Sequence, residues 1–206
     1  MASQSWVSLV NAGTPGPGTA VNSATTATIS PCQAGALTAD VAVVNAAGQP
    51  LGWYPGMMLR VTANGLLTTV STIGTVTFFL TANKANNNSY TTLATAAGIT
   101  TTSTVLTGIM WRLEAVVQCT AVASSGNTVS TQGVFTMGNI GNALPSNPTS
   151  LSANPPPGFY LPLPNSAGPT TAAVDTTQLT GIGLRVTQAT STCTIQCTQW
   201  LVEALD

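Results

Sequence analysis

Residues 109–119, IMWRLEAVVQC, alternate without a break between two sets of side chains. Ile109, Trp111, Leu113, Ala115, Val117 and Cys119 fall on one side of an extended chain. Met110, Arg112, Glu114, Val116 and Gln118 fall on the other. Successive side chains of a strand point to opposite faces, so this spacing specifies a strand with one apolar and one mixed face. The same period recurs along the chain. In Met57–Ala63, Met57, Leu59, Val61 and Ala63 oppose Met58, Arg60 and Thr62. In Thr75–Thr81, Val76, Phe78 and Leu80 share a face, and in Leu179–Thr187 so do Ile182, Leu184 and Val186. Ser5–Val10, Ala20–Ile29 and Thr128–Met137 are weaker strands of the same kind. Cys193–Leu205 changes parity: Cys193, Ile195 and Cys197 share one face, Trp200 and Val202 the other. A β-bulge near Thr198-Gln199 reconciles the two halves. Asn64-Gly65 reads as a hairpin turn with Leu66–Ser71 as the returning strand.

Glycine or proline interrupts most windows long enough for a helix. About eight strands with turn chemistry between them specify an all-β chain, a β-sandwich in one domain spanning 1–206. A jelly roll is the expected topology, although strand count alone does not separate it from an immunoglobulin-like sandwich. Residues 139–169 contain Pro155-Pro156-Pro157 and read as a long Pro-rich loop, or as an arm extended over a neighbouring subunit.

Only nine side chains carry a formal charge and none is histidine. This 4% compares with about 25% in ordinary globular domains. The cations are Arg60, Lys84, Arg112 and Arg185; the anions are Asp40, Glu114, Asp175, Glu203 and Asp206. Without histidine there is no Ser-His-Asp or Cys-His site. No glycine is followed by lysine, so there is no P-loop. Glu114 and Glu203 are the only acids on expected strands, and with Arg60, Arg112 and Arg185 they form candidate cross-strand ion pairs rather than a catalytic pair. No enzymatic role, cofactor or metal is expected. A net charge of −1 with no block of like charge gives nucleic acid or an anionic membrane no handle. No stretch approaches 18 apolar residues, and MASQSWVSLVNAG lacks the basic start of a secretory leader, so neither a membrane span nor Sec export is expected.

Cys32, Cys119, Cys193 and Cys197 read as buried thiols acting as small hydrophobes. A Cys193–Cys197 disulfide is excluded on a strand. Four residues at ~3.3 Å each set their Cα atoms about 13 Å apart, where a disulfide needs less than about 7 Å. Trp53-Tyr54 and Phe159-Tyr160 lie in turn-like settings (LGWYPG and PPPGFYLPLP). They are candidate subunit-interface residues, or else plugs for the open ends of the sandwich.

Three segments carry a resemblance. They are YPGMMLRVTANGLLTTVSTIGTVTFFL (54–80), GIMWRLEAVVQCTAVASSGNTVSTQGVF (108–135) and STCTIQCTQWLVEAL (191–205). Together they resemble a group of small structural proteins of tailed bacteriophages. The shared pattern is a Pro-Gly before an apolar strand, a Gly-Thr-x-Thr-Phe strand, Trp-Arg-Leu-Glu, and a short closing strand with Gln and Trp. The resemblance implies a jelly-roll cement, decoration or minor capsid protein, often trimeric, located in the virion. Its partners would be itself and the major capsid or other virion proteins. It transfers no catalytic residue. The alternative expectation is a phage tail or spike protein that binds a host surface glycan through one of the aromatic pairs.

Overall fold

The computed structural model describes residues 7–9, 20–22, 24, 26–30, 41–42, 53–84, 90–96, 98–101, 105–138, 159–164, 168–177, 180–188, 191 and 193–205, with 7–9, 41–42, 83–84, 159–160 and 180 described by their backbone. Among these there are thirteen strands and no helix. They are β1 (Val7–Leu9), β2 (Thr26–Thr28), β3 (Val41–Ala42), β4 (Met58–Thr69), β5 (Thr75–Lys84), β6 (Tyr90–Thr95), β7 (Ile99–Thr100), β8 (Ile109–Cys119), β9 (Val129–Met137), β10 (Phe159–Leu163), β11 (Thr170–Ala172), β12 (Thr180–Gln188) and β13 (Cys193–Leu205). The count exceeds the eight or so expected because several edge strands are broken. β10 and β11 both pair with β9, β2 and β3 both pair with β12, and β6 and β7 both pair with β5.

The strands form two antiparallel sheets packed face to face, a β-sandwich. The larger sheet runs β1-β13-β4-β8-β9-β10, and the smaller runs β2-β12-β5-β6. Alternation does what the sequence demands. In β8, Ile109, Trp111, Leu113, Ala115, Val117 and Cys119 are all buried. Across the gap the smaller sheet contributes Val76, Phe78, Leu80, Ile182, Leu184 and Val186. Phe78 joins the layers, its ring centroid 5.2 Å from that of Trp111 and 4.6 Å from that of Phe135.

The bulge expected in β13 is present. Cys197 pairs with Gly65, Gln199 pairs with Asn64, and Thr198 is the extra residue. It lets Cys197 and then Trp200 both face the core.

The Asn64-Gly65 hairpin is not present: β4 runs straight through both residues to Thr69. The physical reason is packing. A Cβ on Gly65 would lie 2.1 Å from the Gln196 carbonyl oxygen and 2.2 Å from Cζ2 of Trp111. Gly65 is there so that the bulged strand and the indole can close over it, not to turn the chain. Leu66 to Thr69 therefore continue β4 instead of returning against it.

Part of the expected arm also belongs to this chain's own sheet. Phe159–Leu163 pairs antiparallel with Met137–Gly133 of β9. Pro162 is tolerated there because β10 is an edge strand. Residues 139–158 lie outside the described residues.

Candidate functional site

The outward face of the larger sheet collects most of the protein's strand-borne charge. Register places the outward residues of β13, β4, β8 and β9 in rows: Glu203–Arg60–Val116–Gln132, Leu201–Thr62–Glu114–Val134, and Gln199–Asn64–Arg112–Thr136. Glu203, Arg60, Glu114 and Arg112 thus trace a zigzag of alternating sign. Arg60 Nε donates to Glu203 Oε2 at 2.8 Å. Arg112 Nη2 donates to Glu114 Oε1 two residues along the same strand. The hydrogen bond to Glu203, then its charge, raises the pKa of the Arg60 guanidinium, and the charge of Glu114 adds to this. Asn64 Nδ2 donates to Gln199 Oε1 at 2.9 Å, so the row at the bulge is closed by amides. The four charges sum to zero and are spent on each other.

Beside the zigzag lies an open groove of about 550 Å³, lined by Arg60, Glu114, Val116, Gln132, Gly133 and Val134 among others. Gly133 lies where a Cβ would meet the Glu114 carbonyl oxygen at 2.1 Å, so β8 and β9 are drawn together at the groove floor.

The two other strand-borne charges among the described residues are elsewhere: Lys84 is the last residue of β5, and the other is Arg185. Arg185 is on the smaller sheet, its Cζ 3.7 Å from the ring centroid of Tyr90, a cation–π contact rather than an ion pair with either glutamate. Its Nε is buried and without a hydrogen bond among the described residues.

The aromatic pairs separate. Trp53 is buried in this chain's own core, which is the plug role. Tyr54 is half exposed beside it, at a turn where Gly56 takes φ 93° and Met57 N–H donates to Tyr54 O at 3.0 Å. Phe159 and Tyr160 are placed by backbone pairing with Met137 and Thr136, and their side chains lie outside what is described.

Cys119, Cys193 and Cys197 are buried free thiols, while Cys32 lies outside the described residues. Burial pushes the Cys197 thiol up to about 12 and raises that of Cys119. Such thiols stay protonated and are poor nucleophiles and poor metal ligands. Among the described residues no three His, Cys, Asp or Glu side chains group as metal ligands, and no helix is long and apolar enough to cross a membrane.

Sequence reading missed how the loops are held. Buried threonines take the place of charged side chains. At one end of the sandwich Thr101 Oγ1 accepts from Gly74 N–H at 3.1 Å, and Thr69 Oγ1 accepts from Leu106 N–H at 2.9 Å. At the other end Thr128 Oγ1 accepts from Val174 N–H at 2.9 Å and Thr176 Oγ1 from Ala123 N–H at 3.0 Å. Asp175, expected in a loop, is in one but is buried, and its Oδ1 accepts from Thr177 N–H at 3.1 Å and Thr177 Oγ1 at 2.6 Å. No spacing rule marks a capping threonine among so many; the available signal is threonine next to a glycine turn or a strand end.

Compared with protein-family models, curated proteins and solved structures, the chain gives no match. The resemblance to phage structural proteins therefore rests on the motifs in the chain itself.

Proposed function

We propose that this chain is a structural virion protein, a jelly-roll cement, decoration or minor capsid protein that works as a homotrimer by packing against its neighbours. The observation that carries the reading is the self-neutralised face. Its charges pair within the sheet, leaving a broad, rigid surface of Thr, Asn, Gln, Val and Met to meet another protein by shape. A catalytic site would instead hold polar groups in reserve for a substrate.

Strand pairing supports the jelly-roll part. That topology wraps a long antiparallel hairpin so that early strands pair with late ones in nested order. Here β1 pairs with β13, β2 with β12, β4 with β8 and β5 with β6. β9, β10 and β11 then extend the larger sheet beyond β8.

Glycan binding by a tail or spike protein is the second reading. The groove beside Arg60 and Gln132 favours it, but Trp53 is unavailable to a sugar because it is buried.

Electron microscopy of the native particle at subunit resolution tests the choice. Copies in number comparable to the major shell protein support cement. A few copies at one vertex support a spike. Absence from purified particles refutes both.

A further inference from the structure

Among the described residues, five large apolar side chains stand exposed at one end of the sandwich. Leu66 and Met110 are register partners on the outward face of β4 and β8. Val70 and Ile73 lie in the connection from β4 to β5, and Val105 lies in the approach to β8. The most exposed are Met110 at 69%, Ile73 at 61% and Val105 at 60%. These are not floppy tips. Thr69 N–H donates to Leu106 O at 2.9 Å, Leu106 N–H donates back to Thr69 Oγ1, and Gly108 N–H donates to Thr68 Oγ1 at 3.3 Å. Thr101 N–H donates to Gly74 O at 2.8 Å, and the Thr101 hydroxyl receives Gly74 N–H. The platform is pre-organised, so binding it costs little ordering entropy.

We infer that this end, centred on Ile73, Val105 and Met110, is where a second copy of the chain docks. The inference deepens the homo-oligomer part of the proposed function and rests on it. Charge and area argue for a copy as the occupant. No residue described in 66–74 or 105–110 is charged, and the whole chain carries −1, so two copies meet without repulsion and with nothing for a charged partner to pair with. Weighted by exposure, the five side chains present on the order of 250 Å² of apolar surface per copy. A stable interface buries about 800 Å² per partner around a charge-depleted centre. The patch supplies that centre, and the exposed hydroxyls of Ser71, Thr72 and Thr107 supply a neutral rim.

Sedimentation velocity over a range of protein concentrations tests this on the full chain. The wild type is expected at a multiple of 20.8 kDa. Ile73→Lys and Met110→Lys, both at exposed positions, should raise the dissociation constant roughly a hundredfold or more, because ammonium groups would be left unpaired in an apolar contact. Val122→Lys at the opposite end should leave association unchanged, and circular dichroism checks that each variant is folded. A wild type that stays at 20.8 kDa up to about 100 µM overturns the inference and the homo-oligomer with it; this is also the result expected if residues 139–158 cover the patch. An oligomer that Ile73→Lys and Met110→Lys leave intact overturns the docking surface alone.

Discussion

Gly65→Ala tests the packing account at the point where sequence and structure part. A Cβ added there would sit 2.1 Å from the Gln196 carbonyl oxygen and 2.2 and 2.4 Å from two atoms of the Trp111 indole. The first neighbour is backbone inside the β13 bulge region, and the second is a ring packed against Phe78 and Phe135. Neither can leave by rotating a flexible chain end, so the strands themselves must part. Overpacking of this kind costs about 1–3 kcal/mol, at the upper end where backbone must move. Alanine recovers about 0.4–1 kcal/mol from the unfolded chain. The net loss is then about 2 kcal/mol, or about 4–8 °C in Tm for a chain of this length. Urea unfolding followed by tryptophan fluorescence measures it. Gly168→Ala, where an added Cβ meets nothing within 4 Å, serves as the control and should be neutral. In a Trp111→Leu background the cost of Gly65→Ala should shrink but not vanish, because the Gln196 carbonyl remains. A Gly65→Ala variant as stable as the wild type would refute the close approach of β13, β4 and the indole.

Four further outcomes follow from the same structure. Cys197 is raised to about 12 in the folded state against 9.0 for an ordinary thiol. Its contribution is therefore fully present below pH 9 and is lost as pH rises towards 12, so the urea midpoint should fall over that window and fall less in Cys197→Ala. Thr101→Val keeps the shape but strands the Gly74 N–H, and should cost about 1–3 kcal/mol in urea unfolding. Replacing Arg60 and Glu203 together by glutamine should barely change Tm at any salt, and self-association of the wild type should vary little between 50 mM and 1 M NaCl, approximate limits that bracket strong and weak screening.

The longest strands were legible where one face met the core and the other met water. Ile109–Cys119 and Cys193–Leu205 match to the residue, bulge included, because burial forces period 2 on them. Short edge strands were not legible: Val41–Ala42 and Ile99–Thr100 contain too few residues to show a period. Asn64-Gly65 misled because local turn chemistry was overruled by the Trp111 ring, a neighbour forty-odd residues away in sequence. The ion pairs were half legible. Parity put Arg60, Arg112, Glu114 and Glu203 on outward faces, but only strand order could bring β13 beside β4 and make Glu203 the partner of Arg60. Arg185 has the same parity signal and a different partner, Tyr90, which the sequence placed in no element.

The proposed role of this chain is to strengthen a particle by packing against it. Particles assembled without the protein, heated beside complete ones while genome release is followed by a dye, test that most directly. The account predicts release at a lower temperature, restored when the purified chain is added back. Release at an unchanged temperature, with loss only of attachment to cells, would contradict it.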